Sequence, residues 1–186
     1  MKTLAKIIAL LVITISVNAQ NTIGPIEGYT PQIGTMVSML DDMKVRVERT
    51  VMDLNTEQLD FLLDDQANRI GALIMHLAAT EAFYQVYTFE GRTFNKEEEK
   101  EWGIAMNLGD AAREKYQGYD VTYYLDKYSD VRARTLELFK EKDDAWFAAL
   151  TSGGNMNNHW AWYHVMEHQS SHLGQILLLK KRVPNN

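Results

Sequence analysis

Residues 160–179 read WAWYHVMEHQSSHLGQILLL and contain three histidines at intervals of four: His164, His168 and His172. At 3.6 residues per turn, this spacing predicts that the three side chains lie on one side of a helix, one turn apart. The apolar residues around them recur with a helical period. The predicted core-facing stripe consists of Ala161, Val165, His168, His172, Ile176 and Leu179. Two imidazoles therefore belong to a stripe that is otherwise apolar.

The HxxxH pair formed by His168 and His172 indicates a metal site. A buried imidazole needs partners for both ring nitrogens, and two imidazoles one turn apart can share a metal ion. The spacing suits two nitrogen ligands on one ion. The alternative is that one or both rings form hydrogen bonds inside the core or face solvent. A further histidine on a second helix would favour the metal site over this alternative.

His76 is such a histidine. A second long helix is predicted from about residue 68 to residue 89, ending at Gly91. Its predicted inner stripe is Leu73, His76, Thr80, Phe83 and Tyr87. Bundles build metal sites from side chains of facing helices, so this periodicity predicts His76, His168 and His172 as ligands. His164 and His159 are expected at the surface or in a supporting role, and a fourth ligand at His164 is the less favoured alternative.

The rest of the pattern is also helical, and no period-two strand signal occurs. The prediction is an all-α four-helix bundle with a short connecting helix and an insertion between helices 2 and 3. The first long helix is predicted from about Gly34, and a connecting helix follows within 54–63, capped by Asn55 or Thr56. After the second long helix, we predict an insertion over 91–118 with two short helical turns. A third long helix over 119–142, capped by Asp120, and a short helix over 143–150 precede the histidine helix. The predicted inner stripe of the third helix is Val121, Leu125, Tyr128, Val131, Thr135 and Leu138. Tyr128 should place its hydroxyl at the solvent-exposed rim or, less favourably, on a metal-bound water.

The N-terminus predicts export. Lys2 and Lys6 precede an apolar run over residues 7–17, and Val-Asn-Ala at 17–19 has the small-residue pattern of a cleavage site. We therefore predict a signal peptide over 1–19, a leader over 20–33, a bundle domain over 34–183, and a secreted or periplasmic protein. Loss of the two lysines would change the formal charge from −6 to −8, which disfavours nucleic acid and anionic membranes as partners. The chain has no cysteine, so a metal must be held by His, Asp, Glu or water.

The helix order and its histidines resemble the DinB-like family of four-helix bundles. The resemblance is carried by NRIGALIMHLAATE at 68–81, YLDKYSDVRARTLELF at 124–139 and above all YHVMEHQSSHLGQI at 163–176. It implies a divalent metal held by His76, His168 and His172. Some relatives are thiol-dependent S-transferases that use low-molecular-weight thiols such as mycothiol or bacillithiol, and many have no known activity. Relatives often have a basic residue where this chain has Leu173, which weakens any inference of anion contacts there.

Three neutral imidazoles would leave a divalent metal with an open position, as in catalytic sites. The first functional hypothesis is therefore a metal-dependent enzyme that activates water or a thiol against a small electrophile, a hydrolase or an S-transferase. The predicted export and the leucine at position 173 favour activation of water over activation of a thiol. Alternatives are a noncatalytic or stress-related metal-binding module and a bundle that recruits a partner. Glu81 and Glu167 are candidate acids or bases, but both are expected to be rim charges or supports of the ligands. Zinc or nickel is favoured over iron or copper, and the sequence leaves a monomer and a homodimer open.

Overall fold

The computed structural model describes residues 22–184, and these form eight helices. The helices are α1 (Pro31–Val51), α2 (Thr56–Leu59), α3 (Ile70–Phe89), α4 (Lys96–Asn107), α5 (Gly109–Lys115), α6 (Val121–Lys140), α7 (Asp144–Ala148) and α8 (Asn158–Lys180). Within this range there is no strand beyond one isolated bridge between Leu150 and Asn157. None of the described helices is long and apolar enough to cross a membrane. The predicted signal peptide, residues 1–19, lies outside the described residues.

The four long helices α1, α3, α6 and α8 form the bundle, which confirms the predicted all-α architecture. Helix α3 is the central element, because it packs against α6, α8 and α4. Its residues from Ile70 to Ala82 are buried on every side rather than along one stripe. A helix that is apolar all round is the one that other helices surround. The side chains of α3 therefore contact α4, α6 and α8, and His76 belongs to this helix.

The helix starts follow their capping residues. Asn55 caps α2 in a capping box with Gln58, and Asp120 caps α6 by accepting from the backbone N–H of Tyr123, both as predicted. Helix α1 begins at Pro31, three residues before the predicted Gly34. Proline suits the first helical turn, because its fixed φ is helical and its missing N–H would have no intrahelical acceptor there. Pro31 therefore belongs to the first turn of α1.

The insertion over 91–118 forms α4 and α5, and α4 is longer than the short turn predicted. Asn95 caps α4 in a capping box with Glu98, and three acids occupy the first turn, where the helix dipole favours negative charge. The helical conformation is interrupted between α4 and α5 at Leu108 and Gly109, which both have positive φ. Because α4 packs along α3, the insertion adds a wall to the bundle beside His76.

The inner face of α6 differs from the predicted one. Val121, Leu125 and Leu138 were expected in the core and are only half-buried, whereas Tyr124 and Phe139 are fully buried. Aromatic rings bury more surface than leucine, so the helix presents the face that carries them. The predicted positions Val131 and Thr135 are buried as expected.

A buried ion pair joins all four long helices. Glu81 on α3 is 0% exposed and Arg132 on α6 is 2% exposed, and Arg132 Nε donates to Glu81 Oε1 at 2.8 Å. The same carboxylate accepts hydrogen bonds from Thr135 Oγ1 on α6 and Gln169 Nε2 on α8, while Arg132 also donates to the Leu40 carbonyl of α1. Burial opposes the charge on Arg132, but the neighbouring Glu81 carboxylate raises the pKa of the guanidinium overall. The expectation that Glu81 is a rim charge or a support of the metal ligands is therefore wrong.

Tyr128 lies next to this ion pair rather than at the rim. Its side chain is fully buried, and its ring lies 5.8 Å from the Arg132 guanidinium carbon. Its hydroxyl forms no hydrogen bond with any residue from 22 to 184, and burial raises its pKa. Tyr128 does not line the cavity beside the histidines, so neither a rim position nor a role at the predicted metal is supported.

Candidate metal centre

Helices α3 and α8 bring the three predicted ligands together. Contacts between Glu81 and Gln169 and between Thr88 and Trp162 show that the two helices run antiparallel. In this arrangement the Nε2 atom of His168 lies 3.1 Å from the Nε2 atoms of both His76 and His172. One ring nitrogen from each of the three histidines lies within 4.8 Å of the others, which is close enough for all three to bind one ion.

Hydrogen bonds of the Nδ1 atoms of His76 and His172 leave the Nε2 atoms of these rings facing the centre of the triad. His76 Nδ1–H donates to the Ala105 carbonyl at 2.9 Å, and His172 Nδ1–H donates to Gln175 Oε1 at 2.9 Å. In the neutral rings, both Nε2 atoms then carry lone pairs. A proton on His168 Nε2 can satisfy only one of these lone pairs, whereas a cation can satisfy both and the His168 nitrogen as well. The donor set therefore fits a divalent cation, with the outer-shell partners typical of metal-bound histidine.

The protonation states agree with this donor set. Burial lowers the pKa of all three histidines. The pKa of His168 falls to about 3, first because of burial and then because of the neighbouring His172 and His76. His168 Nδ1 is buried and has no hydrogen-bond partner among the described residues. The triad is therefore neutral at neutral pH, which is the form of histidine that binds metals.

The face of α8 that carries the histidines is not its core face, which corrects the predicted stripe. Gln169 and Leu173 are buried, whereas His168 and His172 are half-buried. The buried residues Val165, Gln169 and Leu173 each follow one of the three histidines by one position, so the core face lies about 100° around the helix from the histidine line. The histidines therefore lie on the edge of the core, where they can be reached from solvent.

A cavity of about 480 Å³ opens beside the triad. Helix α4 forms one of its walls, so the insertion is part of the site. The lining residues are His76, Thr80, Phe83, Tyr84, Thr93, Phe94, Glu99, Met106, Asn107, His164 and His168. A cavity of this volume can hold a small molecule.

His164 lies on the cavity wall beside the triad. Its Nδ1–H donates to Glu167 Oε1 at 2.7 Å, its ring stacks on Trp160 with centroids 5.2 Å apart, and its centroid lies 5.8 Å from that of His168. It is not in the set of nitrogens that converge, which argues against a fourth ligand. His159 is outside the cavity and stacks on Phe147. The expected supporting and surface roles of these two histidines agree with these positions.

Two residues that orient the ligands, Ala105 and Gln175, were not predicted. Gln175 follows His172 by three positions, so both lie on one helix face, and this HxxQ spacing was a usable signal. The Ala105 contribution is a backbone carbonyl at 2.9 Å from His76 Nδ1. A backbone carbonyl has no side-chain signature, so the sequence could not reveal it.

Replacing Gln175 with leucine tests the hydrogen bond from His172 Nδ1–H to Gln175 Oε1. Loss of such partners costs about 10–100-fold in metal affinity, and we expect zinc affinity to fall by at least about tenfold, since the change also frees the His172 ring to rotate. Competition titration with a chromogenic chelator measures the change. Gln117→Leu, which alters a glutamine between α5 and α6, is the matched control. Equal affinities for the wild type and Gln175→Leu would show that Gln175 does not orient His172.

Comparison with known proteins gives a family match. Residues 35–183 match the family described as mycothiol-S-transferase, and this region contains all three histidines and both orienting residues. A search of the curated proteins gave no match. The family has the DinB-like fold and is related to thiol S-transferases. Because the match covers most of the chain, this protein belongs to the mycothiol-S-transferase family.

Proposed function

We propose that the protein is a divalent-metal-dependent S-transferase that joins a low-molecular-weight thiol to a small electrophile. The observation that carries the proposal is the convergence of three Nε2 atoms beside an open cavity. The family match supports thiol chemistry over the activation of water. The thiol is mycothiol or another low-molecular-weight thiol, and the electrophile is small enough for a cavity of about 480 Å³.

His76, His168 and His172 would hold the cation, with zinc or nickel favoured over iron or copper. When bound, a divalent cation supplies a Lewis acid that lowers the pKa of a thiol and stabilises the thiolate at neutral pH. Three neutral ligands leave the full charge of the ion available for this effect. Ala105 and Gln175 keep the ligand nitrogens aimed at one point, so little reorganisation is needed on binding.

The cavity walls supply apolar surface and an acceptor for the thiol proton. Phe83, Phe94 and Met106 exclude water from one side of the site, which strengthens electrostatic interactions inside it. His164 has its Nδ1–H on Glu167, so the lone pair of the neutral ring is on Nε2. A lone pair at the cavity wall is the acceptor needed to receive the proton of the incoming thiol.

Export is part of the proposal and rests on residues 1–19. A secreted or periplasmic location would place the protein where free thiols are scarcer than in the cytosol. The hydrolase alternative, with water in place of the thiol, follows from the same metal centre. A noncatalytic metal-binding module is the second alternative, and the experiment below separates the three.

Thiol dependence is the decisive test. We expect the protein, purified without a nickel affinity step and loaded with zinc, to consume 1-chloro-2,4-dinitrobenzene above the uncatalysed rate only when mycothiol or N-acetylcysteinamide is added. Chelation should abolish the excess rate, and the absorbance of the S-aryl product measures it. Cobalt-substituted protein should change its visible spectrum when the thiol is added.

The other outcomes contradict the proposal. Metal-dependent cleavage of esters, amides or epoxides without a thiol would identify a hydrolase. Stoichiometric metal without turnover, together with a cobalt spectrum that no thiol changes, would identify a noncatalytic metal-binding module.

A further inference from the structure

The cavity has two chemically different ends. His76, Thr80 and Phe83 line it from one face of α3, and the seven steps along the chain from His76 to Phe83 span about 10 Å of helix. Helix α4 runs antiparallel to α3, because Ala105 near the end of α4 contacts His76, while Phe94, just before the start of α4, packs against Phe83. The triad is therefore at the inner end, and Phe83 and Glu99 are at the outer end.

Aromatic rings form the outer end. Phe83 packs edge-on against Phe94, with centroids 5.3 Å apart and the ring planes at 89°, and it stacks on Tyr87 at 5.7 Å. On the opposite side, Tyr84 packs edge-on against His164 with centroids 5.8 Å apart. Each ring is therefore held in place by another ring. Fixed aromatic walls favour a flat, conjugated ligand, since such a ligand can stack or pack edge-on without ordering flexible side chains.

The outer end also carries a negative charge. Glu99 lines the cavity, and no lysine or arginine is among the described lining residues. The Glu99 side chain lies against Gly103, where a Cβ would collide with the carboxylate. Glycine therefore lets the carboxylate lie along α4. A ligand with an anionic group at this end would lose water without gaining a cationic partner and would be repelled by Glu99.

We propose that the electrophile is a flat aromatic or conjugated molecule with no negative charge at the end remote from its reacting carbon. This inference rests on the proposed function, because it places the reacting carbon at the triad end. It goes further by naming the substrate class and by assigning selectivity to Glu99 and to the pair Phe83 and Phe94.

Two aryl chlorides test the charge preference. 4-Chloro-3,5-dinitrobenzamide and 4-chloro-3,5-dinitrobenzoate have the same leaving group and differ only in the group opposite it, a neutral amide or a carboxylate of nearly equal size. With N-acetylcysteinamide, the sulfur forms the new C–S bond, the C–Cl bond breaks, chloride leaves with the bonding pair, and the thiol proton passes to His164 and from there to buffer. No oxidant or reductant is needed.

We expect kcat/KM, after division by the uncatalysed rate, to be about tenfold higher for the amide at low ionic strength. Glu99→Lys should narrow this preference to about threefold or less, because the variant replaces repulsion by attraction. Glu97→Lys is the matched control: it makes the same charge change on the same helix, at an exposed residue that does not line the cavity. It should leave the preference within about twofold of the wild type.

Binding of the same ring system separates this inference from the proposed function. 3,5-Dinitrobenzamide and 3,5-dinitrobenzoate lack the chlorine and cannot react, so calorimetric titration of the full chain without added metal reports the cavity alone. We expect the amide to bind about tenfold more tightly, and Phe83→Leu to weaken its binding while helical content is unchanged. If neither chloride reacts, the proposed function fails and the titration still decides this inference. Equal binding of the two ligands, or tighter binding of the benzoate, would overturn it.

Discussion

Replacing His168 with alanine is expected to abolish stoichiometric binding of a divalent cation and leave the bundle folded. His168 Nε2 is the atom that lies 3.1 Å from both other ligand nitrogens, so its loss removes the contact that joins His76 on α3 to His172 on α8. The two remaining nitrogens would leave a zinc ion with half of its usual four ligands. Metal analysis of protein purified without chelator measures the effect, and turnover with thiol and aryl chloride should fall to the uncatalysed rate.

The fold should survive this change because the triad is at the edge of the core. His168 is half-buried, and the two core clusters are built from apolar side chains that the substitution does not touch. We expect the free energy of unfolding of the metal-free protein to change by about 1 kcal/mol or less. His159→Ala is the matched control, since it removes an imidazole from the same helix outside the cavity. Unfolding of the His168→Ala, His172→Ala double variant at room temperature would instead make the metal structural, and the enzyme hypothesis would lose its main support.

The helices and the histidine group could be predicted because both depend on local periodicity in the sequence. The four long helices could be predicted because their apolar residues recur every three or four positions. Asp120 marks the start of α6, and Asn55 marks the start of the short connecting helix α2. His76, His168 and His172 could be grouped because an imidazole in an apolar stripe is unusual on each helix taken alone. The structure then places their nitrogens within 4.8 Å of one another.

Interactions between distant residues could not be predicted in the same way. Glu81 and Arg132 are 51 positions apart, and nothing in either local pattern indicates that they are partners. A glutamate within a helix apolar all round did carry a signal, since a buried carboxylate needs a partner. The cavity wall formed by α4 had no such signal, because a charged, glycine-containing insertion is also typical of a solvent-exposed segment.

The second large effect is expected from Arg132→Met, which should lower the free energy of unfolding by about 3–5 kcal/mol. The substitution leaves the Glu81 carboxylate at 0% exposure with hydrogen bonds from only Thr135 and Gln169. An uncompensated buried charge is far more costly than the loss of an exposed ion pair. Urea unfolding followed by circular dichroism measures the change, and Arg134→Met, an exposed position on the same helix, is the matched control.

A double variant separates the cost of the unpaired charge from the value of the pair itself. Removing both charges with Glu81→Leu and Arg132→Met should restore much of the lost stability, because two apolar side chains have no charge to solvate. It should also retain zinc binding, since neither residue lines the cavity. A double variant as unstable as Arg132→Met would show that the links from Arg132 to the Leu40 carbonyl and from Glu81 to Gln169 stabilise the bundle in their own right. A loss below about 1 kcal/mol for Arg132→Met would mean that water reaches Glu81 once the guanidinium is gone.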